Sequence, residues 1–127
     1  MSTTAAVRFL TGRFNVSKAS KSEKVSPDLD TLTDLPQAAV DKISASLNTL
    51  LADAFALYMK TKNFHWHVSG RHFRGYHLML DEQSEAIFAT TDQLAERVRK
   101  LGGTTLRSIG DIGKHQTIQD NNEAYVP

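Results

Sequence analysis

Five residues of this sequence have side chains that bind metal ions in many proteins, and most of them recur at helical spacing: His65, His77, Asp81, Asp92 and Glu96. His77 and Asp81 are four residues apart, as are Asp92 and Glu96, so each pair shares one face of a helix. The chain contains no cysteine. Any metal must therefore be held by nitrogen and oxygen ligands, and imidazole mixed with carboxylate suits non-haem iron.

The two pairs cannot bind one ion within a single chain. The eleven-residue step from Asp81 to Asp92 returns to within about 20° of the same direction but climbs about 16 Å along the helix. Metal ligands lie only about 2 Å from the ion. A twofold axis near Ala86 and Ile87 would pair this helix antiparallel with its copy, so that the first pair of one chain faces the second pair of the other. Symmetry then gives two identical sites per dimer.

His65, at the end of the preceding helix, could turn toward the start of the second helix and add another nitrogen ligand. His67 points about 200° away from it, so at most one of the two belongs to this site. A simpler interpretation also stays open, because carboxylates on an exposed helix face are usually solvated. Asp92, Glu96 and Lys100 could form only a surface charge ladder.

Two long amphipathic helices must position these residues. The segment Asp34-Leu35-Pro36 combines a capping carboxylate with a proline suited to a first turn, which predicts a helix start at about residue 34. Apolar residues at three- and four-residue spacing carry this helix to about residue 68, where Ser69-Gly70 breaks it. A second periodic run predicts a helix over about 72–101, ended by Gly102-Gly103. The two helices should form an antiparallel hairpin.

The sequence after Gly103 is rich in turn residues and indicates a connector, in which LRSI (106–109) could form a short helical turn. A connector of this length normally leads to another element, and Pro127 is a residue type suited to opening a helix. A hairpin alone buries only one side of each helix. We therefore expect either that partner chains complete the core or that the sequence is a fragment of a longer bundle.

The composition predicts one soluble domain preceded by a basic tail. The 127 residues are 40% hydrophobic and 23% charged, which is typical of a globular domain, and no apolar run approaches the roughly 18 residues of a membrane span. Residues 1–24 contain one acid, Glu23, against five cations. We expect residues 1–33 to be a flexible tail that can neutralise DNA phosphates without reading bases. The five cations are Arg8, Arg13, Lys18, Lys21 and Lys24.

The stretch from Asn63 to Gly103 resembles the signature region of Dps proteins (DNA-binding proteins from starved cells), which are miniferritins of the ferritin-like superfamily. The pattern is His-Trp at 65–66, His at 77, Asp at 81 and 92, Ala-Glu-Arg at 95–97 and Leu-Gly-Gly at 101–103. The resemblance runs from about Asp34 to the end. It implies an all-α fold, a ferritin-like four-helix bundle subunit in which residues 34–127 supply the first long hairpin plus connector. By the resemblance we expect a third and a fourth helix, which would lie beyond Pro127.

The resemblance also implies a function. It implies a ferroxidase-type oxidoreductase that oxidises Fe(II) with hydrogen peroxide, stores ferric mineral in a twelve-subunit shell and protects DNA from oxidative damage in the bacterial cytoplasm and nucleoid. It implies a di-iron site shared between two subunits, beside which Trp66 can donate an electron. The implied ligands are His65, His77 and Asp81 of one chain with Asp92 and Glu96 of its twofold mate.

Two other hypotheses compete with the ferroxidase. One is a nucleoid protein that binds DNA non-specifically through its tail, which can coexist with iron oxidation in one shell. The other is an inactive, truncated helical hairpin that only associates with other chains. An ordinary ferritin fits less well, because the Glu-x-x-His motif of its bundle-core site does not occur in this sequence.

Overall fold

A computed structural model describes residues 26–125, and within that range the chain is helical and contains no strand. Helix α1 spans Gln37–His67, α2 spans Phe73–Lys100 and the short α3 spans Ile109–His115. A single 3-10 turn, Pro27–Leu29, precedes them. The predicted all-α hairpin is confirmed, with both long helices lying within three residues of their expected bounds.

The start of α1 differs in detail from the prediction. Pro36 is the N-cap residue, and its carbonyl accepts hydrogen bonds from the amides of Ala39 (2.8 Å) and Val40 (3.2 Å). No side chain caps this helix, so the capping role predicted for Asp34 is wrong. The reason is positional, because Asp34 lies two residues before the N-cap and an N-cap side chain is the one that reaches the free amides of the first turn.

Both predicted helix breaks are confirmed by backbone geometry. Gly70 has φ +98° and Gly102 has φ +87°, conformations that glycine adopts without the steric cost of a Cβ. The amides of Gly102 and Gly103 bond back to the carbonyls of Arg99 and Val98, each at 3.0 Å. These bonds satisfy carbonyls that the end of a helix otherwise leaves unpaired.

Helices α1 and α2 pack antiparallel, as the order of their contacts shows. His65 meets His77 beside the turn, while the rings of Tyr58 and Phe88 lie 5.1 Å apart further along. At the far end Gly103 lies against Ser44 so closely that an added Cβ would overlap the Ser44 hydroxyl. The buried apolar residues of this seam are Val40, Leu51, Ala52 and Val98.

After α2 the chain folds back along α1 toward the turn. Asn48 Nδ2 donates to the carbonyl of Thr104 (2.8 Å), Asp53 accepts from Thr117 Oγ1 (2.9 Å), and Lys60 Nζ donates to the carbonyl of Gln119 (2.8 Å). These successive contacts advance along α1. The connector is therefore fixed to the hairpin by side chains of α1.

The short helix in the connector begins later than predicted. Leu106 and Arg107 lie outside α3, and Ser108 is its N-cap, with Oγ accepting from the amide of Asp111 (3.1 Å). The Asp111 carboxylate in turn accepts from the amide of Arg107 (3.2 Å). The prediction of a helical turn at 106–109 is thus wrong, because this Ser-x-x-Asp exchange sets the start at Ile109.

One side of the hairpin carries an uncovered apolar groove of about 650 Å³ between α1, α2 and the connector. Its walls include Leu50 and Leu57 of α1, Ile87 and Leu94 of α2, and Ile118. Leu50 is 53% exposed. This agrees with the expectation that a lone hairpin leaves one side of each helix unburied. None of the helices in residues 26–125 has the length and apolar character required to cross a membrane.

Candidate metal centre

His65 and His77 lie face to face where the two long helices meet. Their rings stack with centroids 3.8 Å apart. His65 Nδ1 lies 2.8 Å from the carbonyl of residue 77, and His77 Nδ1 lies 3.0 Å from the carbonyl of residue 65. Because a carbonyl can only accept, each Nδ1 must carry a proton and donate it. In the neutral form of each ring, Nε2 then keeps a lone pair available to a metal.

Asp81 lies one helical turn after His77 on α2, and its Oδ1 is 3.9 Å from His65 Nε2. Lys62, one turn before His65 on α1, forms a close hydrogen-bonded ion pair with the same oxygen. This hydrogen bond lowers the pKa of Asp81 below its ordinary value and raises the pKa of Lys62. A lysine ammonium therefore balances the carboxylate charge that a metal ion would otherwise neutralise.

The second pair of predicted ligands lies three turns further along α2, and both side chains are exposed. Glu96 accepts a hydrogen bond from Lys100 Nζ (2.6 Å), which lowers the pKa of Glu96. The charge ladder left open by the sequence is thus partly present, as the Glu96–Lys100 pair. Asp81 and Glu96 are thus alike, since each is paired with a lysine of the same chain, Lys62 and Lys100 respectively.

Because α2 is one continuous helix, it keeps Asp81 and Asp92 about 16 Å apart along its axis. Within residues 26–125, no group of three or more His, Cys, Asp or Glu side chains converges to hold a metal. One chain stacks His65 on His77 and places His65 Nε2 3.9 Å from Asp81 Oδ1, an arrangement that does not itself converge on a metal position, and it keeps Asp92 and Glu96 apart from them. Any site that uses both halves must join two chains.

Two further candidate residues beside His65, Trp66 and His67, are exposed to solvent. Trp66 is adjacent in sequence to His65 and 57% exposed. His67 is also exposed, and its Nδ1 donates to the carbonyl of Asn63 (2.7 Å), away from the site. The structure thus separates His65 from its neighbour two residues later, as helical geometry predicts. The five tail cations and Glu23 lie outside the described residues.

Lys62 is the residue that the sequence prediction missed. Spacing shows only that Lys62 lies three residues before His65 and so shares a face of α1 with it, not that it reaches Asp81 on α2. A lysine ammonium is not a metal ligand, so a search for ligand spacing does not identify it.

The family profile of the ferritin-like domain matches residues 44–125, which include both halves of this site. The chain belongs to the ferritin-like family. DNA protection during starvation protein 1 of Deinococcus radiodurans is 36% identical to it over 85 residues, 67% of this chain and 41% of that protein. The DNA protection during starvation protein of Halobacterium salinarum is 37% identical over 78 residues, 61% of this chain and 43% of that protein. The chain thus spans less than half of either relative.

Solved structures place this ferritin-like chain among Dps proteins. Dps of Mycobacterium smegmatis superposes with a TM-score of 0.68 at 30% identity, covering 73% of this chain and 57% of that one. Dps of Vibrio cholerae O1, described as a member of a broad superfamily of ferritin-like diiron-carboxylate proteins, gives 0.68 at 27% identity, covering 75% and 60%. Fold, sequence and the His-Trp signature agree, and the chain is of the Dps type.

Proposed function

We propose that this chain contributes to a ferroxidase that oxidises Fe(II) with hydrogen peroxide and stores the product as ferric mineral, thereby protecting DNA. The active unit is a twofold homodimer within a larger shell of twelve subunits. Each of its two di-iron sites takes His65, His77 and Asp81 from one chain and Asp92 and Glu96 from the other. Iron is the substrate of this reaction.

One observation carries the proposal. The reciprocal Nδ1 hydrogen bonds fix both imidazoles and leave each Nε2 without a hydrogen bond, beside a carboxylate whose hydrogen-bonded ion-pair partner is Lys62. An ordinary pair of packed histidines needs no such carboxylate. A metal-ligating histidine usually donates its other ring N–H to a carbonyl or carboxylate, which fixes the ring and its tautomer.

The chemistry assigns separate tasks to the residues. Each Fe(II) gives up one electron, and two electrons with two protons reduce one hydrogen peroxide to two water molecules. The carboxylates stabilise the higher charge of Fe(III), and the imidazoles hold the ion during the change. The two lysine ammonium groups must leave Asp81 and Glu96 when iron arrives. Removing Fe(II) and peroxide together limits hydroxyl radical formation near DNA.

The test is peroxide-dependent Fe(II) oxidation, followed by the absorbance of the ferric product. Asp81→Asn and Glu96→Gln should each abolish the fast phase while leaving helicity and native mass unchanged. Glu82→Gln is the matched control, because Glu82 is an exposed carboxylate beside Asp81 but about 100° away around the helix. Oxidation at the wild-type rate in Asp81→Asn would reject the site. Failure of the wild type itself would favour the inactive hairpin.

A second function, non-specific DNA binding, is favoured by the charge of the tail and by the names of the two relatives. In this proposal Arg8, Arg13, Lys18, Lys21 and Lys24 contact DNA phosphates. Many tails on one shell would add avidity to individually weak contacts.

A further inference from the structure

Lys62 lies on α1 between two ring contacts that fix its level along α2. His65, three residues after Lys62, stacks on His77. The ring of Tyr58, four residues before Lys62, lies 5.1 Å from the ring of Phe88. Because the two helices are antiparallel, Lys62 is level with the middle of the segment of α2 that runs from His77 to Phe88.

This segment of α2 carries two carboxylates at helical spacing, Asp81 and Glu85. The four-residue step between them advances about 6 Å along the helix and about 40° around it, so the two share one face. Lys62 forms its hydrogen-bonded ion pair with Asp81. The ion pairs within residues 26–125 engage Asp81 and Glu96 but not Glu85. A carboxylate without an ion-pair partner therefore lies one turn beyond the one that Lys62 occupies.

Glu85 is close enough to Lys62 for its charge to act on the ammonium. The hydrogen bond with Asp81 is the main cause of the raised pKa of Lys62, and the negative charge of Glu85 raises that pKa further. The two carboxylates therefore attract the same ammonium from successive turns of α2.

Fe(II) bound by Asp81 must displace the Lys62 ammonium from this carboxylate. The Lys62 side chain is only 18% exposed, so water cannot fully replace the lost ion pair. An ammonium left unpaired beside Fe(II) is also repelled by the like charge. A lysine has three donors on a flexible four-carbon stem, so it can exchange one carboxylate for another one turn away without movement of the backbone.

We propose that Glu85 is the second partner of Lys62, which pairs with Asp81 in the iron-free site and with Glu85 when Fe(II) is bound. Glu85 is then a positioning residue that acts through Lys62 and is not an iron ligand. It favours iron binding because the pair of Lys62 with Glu85 stabilises only the loaded arrangement. The inference rests on the proposed function, because it concerns how the same site accepts its substrate.

The proposed twofold dimer adds to the advantage of this exchange. Its axis near Ala86 and Ile87 brings Glu85 close to the Glu85 of the second chain, in an interface from which water is excluded. Two carboxylates in such a place repel each other. A lysine that arrives from each chain would neutralise both of them, so the exchange does not depend on Glu85 being exposed.

A double-mutant cycle between Lys62 and Glu85 tests the inference. The full chain carries Glu85→Gln, Lys62→Met or both, and anaerobic equilibrium dialysis measures the affinity for Fe(II) without oxidant. Glu82→Gln, made with and without Lys62→Met, is the matched control. Glu82 is an exposed carboxylate about 100° around α2 from Asp81, so its removal measures the general effect of losing one nearby negative charge.

With Lys62 present, Glu85→Gln should weaken Fe(II) binding about two- to fivefold more than Glu82→Gln does, the range for one partly exposed ion pair. In the Lys62→Met background the two glutamine variants should have equal effects, because no ammonium then needs a second partner. Glu85→Asp keeps the charge and should bind Fe(II) more tightly than Glu85→Gln.

Equal effects of Glu85→Gln with and without Lys62 would overturn the inference, because a direct iron ligand or a general attraction acts in both backgrounds. An effect no larger than that of Glu82→Gln would overturn it as well. Circular dichroism and native mass spectrometry verify folding and assembly, and Glu85→Ala replaces Glu85→Gln if that variant fails to assemble. A wild type that binds no Fe(II) would reject the proposed function and this inference with it. A wild type that binds and oxidises Fe(II) but shows an additive cycle rejects the inference alone.

Discussion

His65 and His77 each donate Nδ1–H to the backbone carbonyl of the other, across the seam between α1 and α2. Each imidazole is therefore oriented by the helix that carries its partner. A change in the packing of the two helices would move both rings at once. The proposed iron ligands consequently depend on the hairpin being closed, even though neither ring needs iron to adopt its position.

The first prediction uses the only tryptophan of the chain as a reporter. Trp66 lies next to His65, so Fe(II) bound at the site should quench its fluorescence. In the absence of oxidant, His77→Ala and Asp81→Ala should both reduce the quenching and shift it to higher Fe(II) concentration. His115→Ala, an exposed histidine on α3, is the control. Wild-type quenching in both site variants would mean that iron binds elsewhere.

A second prediction concerns the ion pair between Lys62 and Asp81. Fe(II) must displace this ammonium, so Lys62→Met should increase Fe(II) affinity, by about two- to fivefold for an ion pair of this exposure. Lys60→Met removes a lysine from the same helix without touching Asp81 and should leave the affinity unchanged. Titration of Fe(II) under anaerobic conditions measures both. Weaker binding in Lys62→Met would show that the lysine supports the site instead.

The same pair sets a pH dependence whose sign follows from the two pKa shifts. The pKa of Asp81 is lowered, so its contribution to stability is present above the ordinary carboxyl pKa and lost as pH falls through the lowered one. The pKa of Lys62 is raised, so its contribution is present below the ordinary lysine pKa and lost as pH rises through the raised one. Between about pH 5 and pH 9 the effect of Lys62→Met on stability should therefore be constant.

A third prediction concerns the close approach at the far end of the hairpin. A Cβ at position 103 would lie 2.9 Å from Ser44 Cβ and 3.1 Å from Val98 Cγ1. Gly103→Ala should therefore lower the free energy of unfolding by about 1–3 kcal/mol, as overpacking of a core does. Gly113→Ala in α3 meets nothing within 4 Å and should be neutral or slightly stabilising. Thermal denaturation compares the two, and equal stability would mean that α1 and α2 can separate locally.

The sequence predicts the fold well, because apolar periodicity and glycine breaks are local signals. The sequence mispredicts the residues at which two of the helices begin. The N-cap of α1 is Pro36 and not Asp34. Helix α3 begins at Ile109 because Ser108 is its N-cap and accepts a hydrogen bond from the amide of Asp111. Spacing alone placed the two proposed ligand pairs, His77 with Asp81 and Asp92 with Glu96, on α2. Spacing could not reveal that Lys62 pairs with Asp81, because that contact depends on how α1 packs against α2.

A fourth prediction tests the tail. Deleting residues 1–24 should weaken duplex DNA binding and reduce its salt slope by up to about 4.5, at roughly 0.9 for each of five phosphate contacts. Fe(II) oxidation should continue at the wild-type rate. Gel shifts at matched salt measure the first, and native mass must show that the truncated protein assembles equally. DNA retention identical to that of the full chain would assign duplex binding to another surface.

The fifth prediction tests whether two chains share the site. Asp81→Ala and Glu96→Ala each damage both sites of their own homodimer. In a mixed dimer, one site combines the intact His77 and Asp81 of one chain with the intact Asp92 and Glu96 of the other, while the second site carries both lesions. Unfolding and reassembling an equal mixture makes half of the dimers mixed, so about a quarter of wild-type activity should return.

If each site instead lay within one chain, mixing the two variants should restore no activity. Every chain in the mixture carries one lesion, so no intact site could form and activity would stay at the level of the separate variants. Native mass spectrometry must first show that mixed dimers exist. With mixed dimers present and no recovery of Fe(II) oxidation, the shared site would be wrong. The continuous α2, which keeps its two ligand pairs about 16 Å apart, is the physical reason to expect recovery.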